Sequence, residues 1–181
     1  MTIPPIRLAL GKHLGQVLTP ELAYSIECQA APGAISPVVA VDSAALVTIE
    51  QIEALEREML KGEQIDLPVR DFFSHKCYAR ELFIPAGTVL IGRVHKFQNL
   101  NIMSMGELSV LTDDGIKRIK APYTVSSPPG TKRVAFAHAD TLWTTIHGTE
   151  LTDVDEIEQA FTTRHYGEYL EFCTRLIKEG A

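Results

Sequence analysis

The chain has 181 residues, of which 45% are hydrophobic and 22% are charged. This length and balance predict one main folded core and exclude both a disordered chain and a coiled coil. The net charge of −6 argues against a nucleic-acid-binding protein with a basic surface. We therefore expect a globular protein without long nucleic acids among its partners.

The N-terminal sequence MTIPPIRLALGKHLG lacks the apolar stretch and cleavage site of a signal peptide. No segment approaches the roughly 20 consecutive apolar residues that a bilayer-spanning helix requires. The three cysteines, Cys28, Cys77 and Cys173, match neither a zinc pattern nor a disulfide framework. These features predict a cytoplasmic protein with reduced thiols and no membrane partner.

Charge and composition divide the chain into three parts. Residues 1–66 carry 4 Lys and Arg against 9 Asp and Glu (net −5), residues 67–149 carry 10 against 6 (net +4), and residues 150–181 carry 3 against 8 (net −5). We assign residues 1–66 to an N-terminal arm and amphipathic helix, 67–149 to a β-barrel, and 150–181 to a C-terminal helical extension. Positive charge is thus concentrated in the predicted barrel.

The N-terminal part begins with a proline-rich arm and ends in a helix. Prolines in the first 45 residues prevent a long helix, and a short strand is predicted around residues 36–41. Thr48 and Gln51 have capping-box spacing, and apolar residues recur at helical intervals from Ile49 to Leu60 before Gly62 supplies a stop. This pattern predicts one amphipathic helix whose glutamates face solvent.

Short segments rich in β-branched and aromatic residues follow, separated by turns that contain Pro and Gly. They predict eight antiparallel strands at residues 78–84, 88–97, 100–105, 107–112, 116–120, 123–126, 132–137 and 141–147. Helical periodicity returns at Val154–Phe161 and again at Tyr166–Ile177, ending at Gly180. A mainly β sandwich or barrel with terminal helices is the expected architecture.

Two spacing patterns in the strand region match the motifs of a known superfamily. The motif Gly-x5-His-x-His-x3/4-Glu-x6-Gly is matched in spacing by Gly87, Arg93, His95, Asn99 and Gly106. The motif Pro-x-Gly-x2-His-x3-Asn is matched in spacing by Pro128, Gly130, Arg133 and Ala137. The chain therefore resembles the cupin superfamily, which implies a double-stranded β-helix, the RmlC-like jelly roll.

A narrower resemblance covers about residues 50 to 160. The strings YARELFIPAG, GRVHK, APYTVSSPPGTKR and AHADTLWTTIHGT are similar to uncharacterised cupin-like proteins encoded by tailed bacteriophages. This resemblance implies a location in the host cytoplasm or in the virion. It brings no reaction with it, and the Walker A, GxGxxG, GxSxG and HExxH signatures are missing from the sequence.

The metal ligands that the cupin resemblance would imply are mostly replaced. A metal-binding cupin holds a divalent ion with three imidazoles and one carboxylate. In this chain Arg93 and Arg133 stand at two histidine positions, Asn99 stands at the carboxylate position, and His95 alone matches. Because guanidinium has no lone pair and repels cations, we expect no metal and no other cofactor. A site rebuilt from His95, His147 and a third group remains an alternative.

The same replacements favour an anionic ligand. Side chains two residues apart on a strand share a face, so Arg93 and His95 are predicted to point inward together with Val89, Ile91 and Phe97. Arg133 is expected to converge on them from an opposing strand. Arginine forks bind carboxylate or phosphate in bidentate fashion. The predicted ligand-binding set is Arg93, His95, Asn99, Asn101, Arg133, Trp143 and His147.

Structural roles are the competing interpretation of these residues. Arg93 and Arg133 could form internal ion pairs with Glu81, Glu107, Asp140 or Glu150. His95 could be a hydrogen-bonded core histidine, Trp143 a core anchor, and His138 an exposed residue of a turn. The remaining basic residues of the barrel are expected to be solvated, and these are Lys96, Lys117, Arg118, Lys120 and Lys132.

Three functions follow from this sequence. The first is a metal-independent module that binds a small anion bearing phosphate or carboxylate, with a nucleotide as one candidate. The second is a metal-free isomerase or epimerase that uses His95 as a general acid or base. The third is a phage virion or assembly protein in which the jelly roll is a scaffold. The cupin resemblance also implies a homodimer.

Overall fold

The computed structural model describes residues 7–10, 48–112 and 115–179, so the strand predicted around residues 36–41 lies outside the described residues. This part of the chain is mainly β, with three helices. The elements in chain order are β1 (Arg7–Leu10), α1 (Ile49–Met59), β2 (Ile65–Asp66), β3 (Val69–Ser74), β4 (Cys77–Ile84), β5 (Thr88–Ile91), β6 (Val94–His95), β7 (Asn99–Thr112), β8 (Gly115–Lys120), β9 (Tyr123–Ser127), β10 (Val134–Gly148), α2 (Val154–Phe161), β11 (Thr162–Thr163) and α3 (Tyr166–Glu179).

Two long antiparallel strands, β7 and β10, run through the whole fold and belong to two layers. The first half of β10 and the second half of β7 form layer A, in which the order is β2-β1-β5-β10-β7-β8. The second half of β10 and the first half of β7 form layer B, in which the order is β3-β4-β10-β7-β9. All pairs in these layers are antiparallel except those of β1. The result is a two-layered jelly roll.

The two layers enclose one apolar core. Leu108, Val110 and Ala137 of layer A cluster with Ile84 and Met103 of layer B. All five side chains are buried, which removes their apolar surface from water. This core fills one part of the space between the layers, and the cavity described below occupies another.

Helix α1 covers the outer face of layer A. Its start is fixed by the predicted capping box, because Gln51 N donates to Thr48 Oγ1 and Thr48 N donates to Gln51 Oε1. Its apolar residues pack in a second core with residues of β5 and β10, and this core contains Ile52, Leu55, Met59, Val89, Ile91, Val134 and Phe136. The helix predicted from Ile49 is therefore confirmed, and its apolar face lies on the sheet.

The predicted strands are present with different bounds. The pairs predicted at 100–105 with 107–112 and at 132–137 with 141–147 are each one long strand, because β7 and β10 bend at register shifts instead of ending in turns. The strand predicted at 88–97 is broken into β5 and β6. The predicted turn at His138 is wrong, since His138 lies in β10, half-buried, with its Nε2 2.7 Å from Ser109 Oγ.

Two predictions of solvated side chains are also wrong. Lys132 and Glu56 are both buried and form an ion pair between the segment before β10 and α1. Glu53 accepts a hydrogen bond from Tyr166 N at 2.7 Å, which joins α1 to the start of α3. The helical periodicity of α1 shows which of its residues are apolar. It does not show which of its polar residues will be covered by α3 or by the segment before β10.

The two C-terminal helices were predicted nearly to the residue. Helix α2 spans Val154–Phe161 and begins at the N-cap Asp153, whose side chain accepts a hydrogen bond from Glu156 N at 2.9 Å. Between α2 and α3, strand β11 pairs with β6 through Thr162–His95 and Thr163–Val94. No helix in the described part of the chain is both long and apolar enough to span a membrane.

Candidate functional site

A cavity of about 230 Å³ lies between the two layers, and α2 closes one side of it. Its walls are mostly apolar, and include Leu82, Leu90, Leu108, Val110, Trp143 and Phe161. The charged and imidazole side chains that line it are Arg80, Arg93, Arg133, Glu158, His95 and His147. The lining of the cavity is therefore largely apolar with one cluster of ionisable groups, a combination typical of small-molecule sites.

Two of the three arginines share one carboxylate. Arg80 comes from β4, Arg93 from the break between β5 and β6, and Glu158 from α2. Arg80 Nη1 donates to Glu158 Oε1, and Arg93 Nη1 donates to Glu158 Oε2 at 3.1 Å and to Thr162 Oγ1 at 3.2 Å. Glu158 therefore links both layers to α2. This ion network differs from the predicted alternative, which paired Arg93 with Glu81, Glu107, Asp140 or Glu150.

Arg133 lines the same cavity beside Arg93, and the predicted approach from an opposing strand is wrong. Gly92 N donates to Arg133 O at 2.9 Å, so the two arginines stand on neighbouring segments. Arg133 Nη1 donates to Ser127 Oγ at 2.6 Å. The guanidinium also lies close enough to His95 to lower the pKa of that imidazole. The side chain that does face Arg93 from the other layer is Arg80.

Asn101 organises a polar network at one wall of the cavity. Its Nδ2 donates to Asn99 Oδ1 at 2.6 Å and to Ser127 Oγ at 2.9 Å. Its Oδ1 accepts from Trp143 Nε1 at 3.2 Å and from Thr145 Oγ1 at 2.8 Å. Because these four bonds use its donors and acceptor, Asn101 fixes the orientation of Asn99, Ser127 and Trp143.

His95 and His147 stack inside the cavity. Their ring centroids are 5.5 Å apart with an interplanar angle of 24°, and Phe161 packs against His147 at 4.7 Å. Burial lowers the pKa of His95 to about 4, with smaller contributions from His147 and Arg133, and burial alone lowers the pKa of His147 to about 4. Both imidazoles are therefore neutral at pH 7.

Acidification is expected to destabilise the protein through this histidine pair. Each imidazole has a folded pKa of about 4, below its unfolded value of 6.5, so its contribution is complete above pH 6.5 and is lost as pH falls towards 4. For one imidazole the free energy of unfolding should fall by about 2 kcal/mol between pH 7 and pH 5. Urea denaturation across this range measures the loss.

The matched variants for this experiment are His147→Gln and His75→Gln. His75 is exposed in the turn between β3 and β4, whereas His147 is buried in the cavity. We expect His147→Gln to flatten the dependence of stability on pH and His75→Gln to leave it unchanged. Equal slopes in all three proteins would contradict buried, neutral imidazoles.

Three polar atoms of the cavity side chains are buried and have no hydrogen-bond partner among the described residues. They are Arg93 Nε, His95 Nδ1 and His147 Nδ1. A buried donor or acceptor without a partner costs about 1–3 kcal/mol. A bound ligand or water would remove that cost, so these atoms mark the part of the cavity where a polar group of a ligand fits.

All seven residues that the sequence predicted as ligand-binding line the cavity. The alternation argument was wrong, however, about which side chains of β5 point inward. Val89 and Ile91 face α1 in the outer core, whereas Leu90 lines the cavity. The break at residues 92–93 then turns Arg93 and His95 inward. Phe97 is 41% exposed and packs on Phe161 and Phe172 instead of entering the cavity.

Sequence reasoning missed Arg80, Glu158, Ser127 and Thr145 as cavity residues. Arg80 lies two residues from both Tyr78 and Leu82 on β4, so the three side chains share one face. This spacing could have indicated that Arg80 points into the cavity. Glu158 gave no such signal, because it is one acidic residue among several in a C-terminal helix. Trp143 packs against the apolar core and also lines the cavity, and its role in ligand binding stays a prediction.

Only two of the three ligands needed for the alternative metal site lie close together. His95 and His147 are adjacent, but no group of three His, Cys, Asp or Glu side chains in the described part of the chain is arranged to hold a metal ion. Arg133 beside His95 places positive charge where a cation would bind. The expectation of a metal-independent site stays a prediction.

Comparisons with known proteins find similarity at the level of structure. No family model matches the chain, and no curated protein matches it by sequence. A cupin domain from Bordetella pertussis has a TM-score of 0.38 and 13% identity, and the match covers 48% of this chain and 96% of that one. An RmlC-like cupin from Shewanella frigidimarina has a TM-score of 0.40 and 21% identity, over 46% and 78% of the two chains.

KdgF from Halomonas sp. has a TM-score of 0.41 and 12% identity, over 50% of this chain and 83% of that one. These neighbours align with about half of the chain. The fold itself, two antiparallel layers joined by β7 and β10, is a jelly roll with helices at its ends. Two of these three neighbours, from Bordetella pertussis and Shewanella frigidimarina, are cupins.

Proposed function

We propose that the cavity binds a small anion carried on an apolar body, without a metal. The observation that carries this proposal is the charge of the cavity lining. Among the described residues that line the cavity, Arg80, Arg93 and Arg133 are positively charged, Glu158 is negatively charged, and both imidazoles are neutral at pH 7. This described lining has more positive than negative charge, and a largely apolar enclosure screens that charge poorly, so it favours an anion.

The size and walls of the cavity narrow the class of ligand. A volume of about 230 Å³ lies below the roughly 300–1,000 Å³ of pockets that hold drug-sized ligands, which favours a smaller ligand. Leu82, Leu90 and Trp143 offer apolar contact but few hydrogen bonds to hydroxyl groups. A phosphate or carboxylate attached to one ring or a short hydrocarbon fits these features better than a sugar phosphate or a whole nucleotide.

Trp143 provides a direct measurement, because it is the single tryptophan of the chain and lines the cavity. Titration with phenyl phosphate and with benzoate should change its fluorescence. Arg133→Ala should weaken binding by about 1.5–3 kcal/mol, or one to two decades in Kd, because it removes a charge-assisted contact. Unchanged fluorescence with both compounds in the wild type would contradict the proposal.

Arg57→Ala is the matched control for this experiment. Arg57 is an exposed arginine near the end of α1, so its loss changes the net charge equally without touching the cavity. Its Kd should stay within about twofold of the wild type. The buried Lys132, which the sequence predicted as a surface lysine, is unsuitable as a control because its loss disturbs folding.

A metal-free isomerase or epimerase is the second candidate, and the stacked histidines favour it. The sequence offered His95 without a second catalytic group, and His147 now stands beside it. With a pKa of about 4 the imidazoles accept protons weakly, but a bound anion beside them would raise that pKa and make the pair better suited to acid–base chemistry. Recovery of a chemically altered ligand after incubation with protein, and its loss in His95→Gln, would favour this candidate over simple binding.

The resemblance to phage-encoded proteins, the homodimer, the cytoplasmic location and the virion role stay predictions. Light scattering measures the oligomeric state, and mass spectrometry of purified particles tests the virion role. A scaffold role would leave the cavity without a ligand. Binding of phenyl phosphate at Trp143 therefore separates the proposed module from a pure scaffold.

A further inference from the structure

The Glu158 carboxylate occupies two of the three guanidinium groups that the proposed ligand would use. It bridges Arg80 of layer B and Arg93 of layer A, and its side chain is only 16% exposed. A carboxylate between two arginines is also the arrangement expected of a bound anion. We propose that Glu158 is a built-in counter-ion that an anionic ligand displaces, so that ligand binding releases α2 from the cavity. This inference rests on the proposed function.

Helix α2 is attached to the barrel mainly at its C-terminal end. There Lys96 N donates to Phe161 O at 2.8 Å, and β11 pairs with β6. The residues before the helix, 150–153, are exposed. Within the helix, Ile157 is the one buried residue, and Glu158 provides the ionic contact. Lys96 Nζ also donates to Gln159 O, and Phe161 packs on His147, so the last turn of the helix stays held without Glu158. Loss of the Glu158 contacts leaves Ile157 as the buried contact of the earlier turns, so the helix can pivot about its C-terminal end.

The exchange of one anion for another also determines which ligands bind best. A displaced Glu158 moves towards water, where its carboxylate is hydrated. This hydration offsets part of the free energy that is lost with the two ion pairs. A monocarboxylate brings one negative charge to the two arginines, which is the same charge that the displaced Glu158 carboxylate takes away. A phosphate monoester carries about −1.5 to −2 at pH 7 and three acceptor oxygens, so it gains more from Arg80 and Arg93 than Glu158 did. Phosphate monoesters are therefore the favoured class of ligand.

The first test compares Glu158→Gln with the wild type. Glutamine keeps the size of the side chain and removes its charge, so the competitor for both arginines disappears. Phenyl phosphate should bind at least tenfold more tightly to the variant, measured by Trp143 fluorescence. Without ligand the variant should have a lower Tm than the wild type, because two guanidinium groups lose their partner, and phenyl phosphate should raise its Tm by more.

Glu156→Gln is the matched control, because Glu156 is an exposed acidic residue of the same helix. Its Kd for phenyl phosphate should remain within about twofold of the wild type. If Glu158→Gln does not fold, Glu158→Asp provides the second variant. The shorter carboxylate cannot span both arginines, and phenyl phosphate should bind it at least threefold more tightly.

The second test follows the release of α2. Ile157→Cys puts a thiol at a position that is 1% exposed. Phenyl phosphate should accelerate alkylation of this introduced thiol by iodoacetamide several-fold, with peptide mass spectrometry separating it from the native cysteines. Benzoate should accelerate it less. An unchanged alkylation rate in the presence of bound phenyl phosphate would overturn the release of α2.

These outcomes distinguish the inference from the function on which it rests. If phenyl phosphate binds the wild type and the Glu158 variants equally, or binds the variants more weakly, Glu158 positions the arginines and is not displaced. The counter-ion role is then wrong, and the anion-binding function stands. If neither phenyl phosphate nor benzoate binds any of these proteins, the proposed function itself fails.

Discussion

Lys132→Met is expected to lower the free energy of unfolding by about 3–5 kcal/mol, because it leaves a buried carboxylate without its partner. The Lys132 side chain is 0% exposed and that of Glu56 is 3% exposed. Lys132 Nζ donates to Glu56 of α1 and to Arg164 O, at 3.0 Å, in the segment between β11 and α3. One ammonium group therefore joins the barrel to both helical parts of the chain.

Urea denaturation of two further variants separates the buried pair from general effects of substitution. Glu56→Leu combined with Lys132→Met removes both charges together, and much of the lost stability should return because no unpaired charge remains. Lys61→Met removes an exposed lysine that pairs with Glu58 near the same helix, and it should cost less than about 1 kcal/mol. Similar losses in Lys61→Met and Lys132→Met would contradict this account.

Gly106→Ala is expected to cause a loss of stability of similar size, because Gly106 lies where the bends of β7 and β10 touch. Its φ is +99°, and a Cβ there would lie 2.2 Å from Thr141 Oγ1 and 2.6 Å from both Asp140 O and Thr141 Cα. Backbone strain of about 1–3 kcal/mol adds to an overpacking cost of about 1–3 kcal/mol. The free energy of unfolding should fall by about 2–6 kcal/mol.

Gly115→Ala is the matched control for Gly106→Ala. Gly115 has nearly the same φ, +98°, but a Cβ there meets no atom within 4 Å among the described residues. It therefore reports the cost of the backbone conformation alone, about 1–3 kcal/mol. Urea denaturation should show the larger loss for Gly106→Ala. Equal losses would mean that contact between the two bends contributes nothing.

Local features of the sequence were sufficient to predict the three helices and the approximate positions of most strands, but not the ends of the strands. The Thr48–Gln51 capping box fixes the start of α1, and the apolar periodicity of Val154–Phe161 fixes α2, because each pattern depends on residues within one or two turns. The residue patterns indicated a sandwich or barrel, and the resemblance to the two cupin motifs implied the jelly roll. Gly106 is the last glycine of the first motif. The close contact between the bends of β7 and β10 explains why glycine is needed at this position.

The composition of the cavity depended on contacts between residues far apart in sequence. Alternation assigned Val89 to the interior, but the strand break at residues 92–93 reverses the face, and nothing local marks that break except Gly92. Glu158 meets Arg80 across 78 positions, and Lys132 meets Glu56 across 76. Charged side chains have no periodic signature that names their partners. The sequence by itself therefore determined the helices, the approximate strand positions and the candidate residues Arg93 and His95. Only the packing of α1 and α2 on the two layers decided which charges are buried together, because the stability of a buried charge depends on the partner that the fold brings within a few ångströms.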